Sequence, residues 1–439
     1  MRPSSLHQHQ VIWGFIITLL LFVQPIWASN EIIEKLQSLP QVSDVKSIES
    51  DFYKDKFTMF ITQDVDAKNP NVGKFKQRVI VCHVGFDRPT ILVTEGYFAD
   101  YALNKSYQDE LSKLLNANVI FVEYRYFGQS VPQPCNWDYL TVENSMYDLH
   151  HINQTFHQIY KNKWIATGIS KGGQTTMFYR TFFPDDVAIS VPYVAPLNKS
   201  LEDGRHEPFL SKIVSNSSNR QHVKDFQMEV LKRKYQLLPY FKQYCQDRRL
   251  TFRLPIEEVY DYVVLEYAFA IWQWGTPMSD IPTPEASDSA LIRNLIIYSE
   301  PNYFSEQSVF LPFNVQAVRE LGYYGYDTKP FKKYLSIKTA KDYMHKLMLP
   351  AEFSKLKFDK TLYKKTKKFL KKNDPRMMYI YGGIDPWGAS GVADMKFLRK
   401  KRNIKVHVLP EGSHKTRINS FPEPEKSEII NTLKAWLNE

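Results

Sequence analysis

The feature that most constrains this chain is the segment Gly168-Ile169-Ser170-Lys171-Gly172-Gly173, set between an apolar run at Trp164–Gly168 and a stretch with helical character. A serine in a sharp strand-to-helix turn adopts a strained backbone, so the residues two before and two after must be small. The helix that follows would aim free N–H groups and its positive dipole end at the serine. A bare G-x-S-x-G pattern often arises by chance, and only its place between a strand and a helix gives it meaning. Ser170 is therefore read as a nucleophile, the alternative being an ordinary structural turn.

Short apolar runs alternate with helical patterns around that turn, as expected for βαβ units about a parallel sheet. Val79–Val84 and Thr90–Thr94 read as adjacent strands joined by the Gly85–Arg88 turn, and Asn118–Tyr124 as a buried strand after a helix near Tyr107–Leu115. Ser145–Tyr160 is predicted helical and Val187–Val194 extended. From about Leu201 to Ser354 no strand run occurs, and helix-length stretches such as Val223–Leu238 and Ile256–Trp274 dominate. Arg376–Tyr381 and Ile404–Leu409 restore the strand signal, and a final helix spans Pro424 to Leu437. The expected fold class is α/β: a sheet domain at 29–200 and 355–439, interrupted by a mostly helical cap at 201–354. Two tandem domains are the alternative.

Residues 1–28 have the layout of a secretory signal peptide, with Arg2, the apolar run Val11–Val23 and the small pair Ala28-Ser29. The run is shorter than a spanning helix needs, so export to the periplasm or the exterior is expected. Cleavage would fall near Ala28 and leave no stable membrane insertion. Cys82, Cys135 and Cys245 allow at most one internal disulfide. A net charge of +10 invites a nucleic-acid partner. However, Tyr363, Thr366, Phe369 and Leu370 recur at helical spacing, so the lysines among them read as the wet face of an amphipathic helix. No nucleic-acid-binding module accompanies them, and no nucleic-acid partner is expected. No phosphate-binding loop, H-E-x-x-H helix or paired-cysteine metal site is found in the sequence, so no cofactor or metal is implied.

A serine hydroxyl needs a base, and the base needs an orienting carboxylate. In sheet hydrolases these follow the serine as Asp then His, each on a loop after a strand. The run Arg376–Tyr381 leads into Gly382-Gly383-Ile384-Asp385-Pro386-Trp387, and Ile404–Leu409 leads into Pro410-Glu411-Gly412-Ser413-His414. Asp385 and His414 are thus the candidate partners. Their rivals are Asp394, expected in the following helix, and His407, which alternates within its strand. The oxyanion needs two backbone N–H groups. One is expected from Lys171, the other from Gly96-Tyr97 after the Thr90–Thr94 strand, where glycine permits close approach.

Thr94-Glu95-Gly96-Tyr97, Glu123–Ser130 (EYRYFGQS), the Ser170 segment, Gly383–Trp387 and Gly412–His414 together resemble the secreted bacterial tripeptidyl aminopeptidases. More distantly they resemble lysosomal prolyl carboxypeptidase and dipeptidyl peptidase II. The resemblance implies an α/β-hydrolase fold with a helical cap, Ser170, Asp385 and His414 as the triad, and removal of tripeptides, or of dipeptides, from free N-termini. The lysosomal relatives carry a tyrosine where this chain has Lys171, which favours the tripeptidyl branch.

An aminopeptidase must hold a substrate ammonium, a task for buried carboxylates. Glu95 is the first candidate, with Glu123 and Glu266 behind it; Glu123 has a second reading, a structural pair with Arg125. Trp272, Trp274 and Trp387 are candidate walls for a proline-like side chain, Trp272 and Trp274 reading equally well as cap core. A triad alone does not choose an acyl group. A lipase or carboxylesterase, and an inert hydrolase-like binding module, stand as alternatives to the exopeptidase.

Overall fold

The structure, a computed structural model, describes residues 24–439, with side chains described from residue 31; the apolar run Val11–Val23 lies outside the described residues. Among the described residues no helix is long and apolar enough to cross a membrane. Helix α1 (Gln24–Ser38) leads into β1 (Val42–Ser47), β2 (Asp55–Asp64) and β3 (Lys74–His83), then β4 (Thr90–Thr94) and β5 (Asn118–Val122). After α2 (Val142–Phe156) come β6 (Trp164–Ile169), α3 (Lys171–Phe182) and β7 (Ile189–Tyr193).

Four principal helices form the cap: α4 (Ser217–Lys232), α5 (Lys234–Asp247), α6 (Ile256–Trp274) and α7 (Asp288–Tyr298). The sheet domain resumes with α8 (Thr361–Lys372), β8 (Met377–Gly382), β9 (Ile404–Leu409) and α9 (Glu425–Asn438).

The described strands form one sheet in the order β1-β2-β3-β5-β4-β6-β7-β8-β9. It is antiparallel from β1 through the β3–β5 pair and parallel from β5 onward. This is the α/β-hydrolase fold, with the helical insertion between β7 and β8.

β4, β5, β7 and β8 are buried throughout, as strands covered on both faces must be. Alternate residues serve opposite layers: Leu92, Ile120 and Ala166 pack toward one core, Ile91, Val119 and Ile165 toward the other. The first core continues into the cap, and the second is closed by Ile429, Leu433 and Trp436 of α9.

The structure corrects several expectations. β3 and β4 are not neighbours, because β5 lies between them. The turn joining them is plugged by the first residue of β5: Asn118 Oδ1 accepts from the N–H groups of Val84 (2.7 Å) and Gly85 (3.1 Å). The stretch Val223–Leu238 is two helices broken at Arg233. The Arg233 guanidinium donates to the carbonyls of Pro284 and Ala286 and to Asp288, fixing the corner. Ile256–Trp274 forms the helix expected, ended by Gly275 in the left-handed region (φ 63°). All three cysteines are free. α8 buries Leu362, Thr366 and Leu370 and leaves most of its lysines to solvent.

Glu123 does not pair with Arg125. It is fully buried against Arg78, and also accepts from Ser130 Oγ and from the N–H groups of Ala99 and Gln129. Arg125 instead grips both oxygens of Asp148 at 2.7 Å, and donates to the carbonyls of Asp64, Val65 and Tyr139. One buried guanidinium thus ties the end of β2 and the loop after β5 to α2. Removing one partner of a buried pair strands the other charge. Arg125→Met should therefore lower unfolding free energy by about 3–5 kcal/mol, read from the denaturation midpoint at unchanged slope.

Candidate active site

Ser170 sits at φ 58°, ψ −119°, between the last residue of β6 and the first of α3. Such a backbone costs about 1–3 kcal/mol and persists only where its surroundings enforce it. The enforcement is visible here. The Ser170 N–H donates to the Tyr193 carbonyl (3.0 Å), and the Gln174 N–H returns to the Ser170 carbonyl (2.8 Å). A Cβ on Gly168 would collide with the Gly172 carbonyl, one on Gly173 would lie 2.5 Å from the Tyr193 carbonyl oxygen, and one on Gly172 3.0 Å from that of Thr94. Thr94 Oγ1 also bonds the Gly172 carbonyl (3.1 Å) and Thr176 Oγ1 (2.7 Å), holding α3 against the end of β4.

Asp385 and His414 follow β8 and β9 and come together. Asp385 is fully buried; its Oδ2 lies 2.7 Å from His414 Nδ1, and its Oδ1 accepts from the Trp387 N–H (3.1 Å). With a carboxylate at Nδ1, that nitrogen carries the proton and Nε2 is left as an acceptor. The His414 ring meets Trp274 edge-on at 5.8 Å, and its N–H donates to the Gln273 carbonyl (2.9 Å) at the end of α6. Ser170 and His414 line one cavity of about 630 Å³ roofed by the cap.

The rivals lie elsewhere. His407 bonds Glu425 beside the sheet (3.1 Å). Asp394 is exposed in a turn rather than in a helix, because the chain after Asp385 forms only short 3-10 segments.

Glu95, Tyr97, Glu266, Trp274 and Trp387 line the cavity, whereas Glu123 and Trp272 do not. Trp272 faces a separate cap cavity of about 300 Å³. Residues two apart on a helix point about 200° apart, which divides the two tryptophans. Glu266, Ala270, Gln273 and Trp274 share the cavity face of α6, while Leu265, Ala268, Phe269 and Trp272 share the other.

The two buried acidic residues of the cavity differ in their neighbours. Burial raises the pKa of Glu95, opposed by the Tyr101 hydroxyl (2.7 Å), the nearby N–H groups of Gly96 and Tyr97, and the Lys171 charge. Glu266 is held by neutral donors, Tyr324 (2.8 Å) and Tyr326 (2.7 Å), and burial pushes it up to about 7.

These tyrosines carried no signal in the sequence, since aromatics crowd the whole cap. His206 was likewise invisible. Buried behind Trp387 and kept neutral by burial (pKa about 4), it bonds the Pro386 carbonyl (3.0 Å) and props the Asp385 loop.

A family model described as PS-10 peptidase S37 matches residues 27–436. A prolyl tri/tetrapeptidyl aminopeptidase from Streptomyces mobaraensis is 26% identical over 388 residues, 86% of this chain and 79% of that protein. Lysosomal Pro-X carboxypeptidase from Bos taurus is 25% identical over 155 residues, 31% of each. Among solved structures, a proline iminopeptidase from Mycobacterium smegmatis aligns with a TM-score of 0.40 at 12% identity, covering 90% of this chain and 99% of that one.

The glycine contacts make a prediction about the turn. Gly168→Ala should displace β6 from α3, lowering both the melting temperature and the fraction of chains labelled at Ser170 by a fluorophosphonate. Labelling at the native rate and extent would show that the turn tolerates a side chain there.

Proposed function

Because the chain belongs to the PS-10 peptidase S37 family and is therefore a serine peptidase, we propose that it is an exported exopeptidase that removes tripeptides from free peptide N-termini. One observation carries this reading: Glu266, a buried carboxylate with only tyrosine hydroxyls for partners, faces the cavity that also holds Ser170 and His414. Such a carboxylate is matched to a substrate ammonium. Glu95 shares its surroundings with the Lys171 ammonium, so Glu266 takes the leading role and Glu95 a supporting one.

Ser170 Oγ attacks the scissile carbonyl while His414 Nε2 takes its proton, with Asp385 holding the imidazole. The N–H groups of Lys171 and of the Gly96-Tyr97 loop receive the oxyanion. Lys171 opens α3, so its N–H has no acceptor within the helix. As the tetrahedral intermediate collapses, His414 returns the proton to the leaving amine. Water then releases the N-terminal peptide from Ser170. Trp274, Trp387 and the aromatic residues of the cap supply apolar walls for a proline-like side chain. The Streptomyces relative's name supports tri- over dipeptide release, and the signal-like residues 1–28 support export.

With the family established, the lipase reading falls away; turnover tests the rest. Acetylating the N-terminus of a tripeptide amide should lower kcat/KM about 30-fold or more, as expected for loss of a buried charge partner. Unchanged cleavage would rule out N-terminal recognition. Absence of turnover and of Ser170 labelling would leave an inert module.

The pH dependence follows from Glu266. Its carboxylate form grows as pH rises through about 7, while a substrate α-amino group loses its proton above roughly 8. Hence 1/KM should rise through pH 7 and fall beyond 8. Glu266→Gln should raise KM and abolish the rising limb of 1/KM, while kcat keeps the pH dependence it has in the unsubstituted protein.

A further inference from the structure

Lys171 presents an energetic problem that the proposed mechanism leaves unexplained. Lys171 is only 3% exposed, and burial holds its pKa well below the usual lysine range, because burying an ammonium costs several kcal/mol unless it is compensated. Compensation comes from a carbonyl, from aromatic faces and from the nearby Glu95 carboxylate. Nζ donates to the Gly96 carbonyl at 2.6 Å and lies 3.3 Å from the Tyr124 ring centroid, with the Tyr97 and Phe127 rings at 5.4 and 5.3 Å.

The Gly96 carbonyl and the Tyr97 N–H belong to one peptide group. That group is planar and trans, so its N–H points away from the atom bonded to its oxygen. Whatever fixes the carbonyl therefore fixes the N–H. Gly96 needs such fixing, because a glycine explores backbone conformations closed to other residues. It must nonetheless be glycine, since a Cβ there would lie 2.7 Å from Lys171 Cβ and Cγ. The same lysine thus requires the freedom with its stem and removes it with its ammonium.

We propose that Lys171 acts twice in oxyanion stabilisation, its backbone N–H as a donor and its side chain as a positioning residue that locks and polarises the Gly96–Tyr97 peptide. A donor on the carbonyl shifts electron density toward the oxygen and makes the linked N–H a stronger donor, most strongly while the lysine is charged. The donor is then aimed before the reaction begins, the condition under which such groups lower a barrier most. This rests on the reading that the Gly96-Tyr97 loop serves the oxyanion as well as the Glu95 carboxylate that its N–H groups also approach.

The test is kinetic. Lys171→Met keeps the backbone N–H and most of the buried volume, and Lys171→Gln is a second neutral replacement should the first not fold. In each, kcat per fluorophosphonate-titrated site should fall about tenfold or more, with KM within about twofold. Affinity for a peptide boronate should fall by the same factor as kcat/KM, while affinity for the product tripeptide stays put. A general packing defect would lower the count of titratable sites instead. Wild-type kcat in either variant, or a loss confined to KM, overturns the proposal. The comparison is run on a short-chain ester as well as a peptide, since both pass through an oxyanion. Ester turnover without peptide turnover would sink the exopeptidase reading and still test Lys171. Ser170→Ala, assayed alongside, tests the nucleophile by itself.

Discussion

Helix α3 meets strand β6 as closely as it does because Gly168, Gly172 and Gly173 carry no Cβ. Gly168 and Gly173 face backbone carbonyls with no room for a methyl group, Gly172 faces that of Thr94 at a tight 3.0 Å, and together they bring the helix N-terminus onto the end of the sheet. The strained Ser170 backbone, the free N–H of Lys171 and the approach of Gly96 all follow from that contact. Strain at one residue is sustained because several glycines around it forgo side-chain packing.

The other functional groups are held by interactions that leave them little choice of orientation. Asp385 uses both carboxylate oxygens, one for His414 and one for the Trp387 N–H. His414 is bonded through its ring on one side and its N–H on the other. Glu266 accepts from two tyrosines that come from a different part of the cap. Precise placement thus comes from second partners, and three of them, His206, Tyr324 and Tyr326, belong to the insertion.

Much of this was legible in the sequence where a local pattern carries the information. The run before Ser170, the loops ending in Asp385 and His414, and the helix Ile256–Trp274 are set by hydrophobic period and by turn residues. What escaped depends on contacts between distant segments. A turn-length gap between Val79–Val84 and Thr90–Thr94 points to adjacent strands, yet the later strand β5 inserts between them, and Asn118 fills the turn. Charge partners were equally hidden: Arg125 lies two residues from Glu123, but both lie past the end of β5, where the chain turns and the Arg125 side chain is carried to Asp148 instead. Glu95 ranks first among the carboxylates in the sequence because it adjoins Gly96. Which of the two carboxylates has a cation nearby depends on Lys171, whose side-chain direction no spacing rule gives.

The hydrogen bond from the His414 N–H to the Gln273 carbonyl bears on how anything enters. Gly275 packs in the same place, so closely that a Cβ would lie 2.9 Å from that of Ser413. The C-terminal end of α6 is thereby fastened to the loop that carries the candidate base. A cap that swung away as a hinged lid would drag His414 from Asp385 or break this seam, so an open roof and an armed histidine exclude each other. The position of the cap and the placement of the candidate base are thereby one variable and not two.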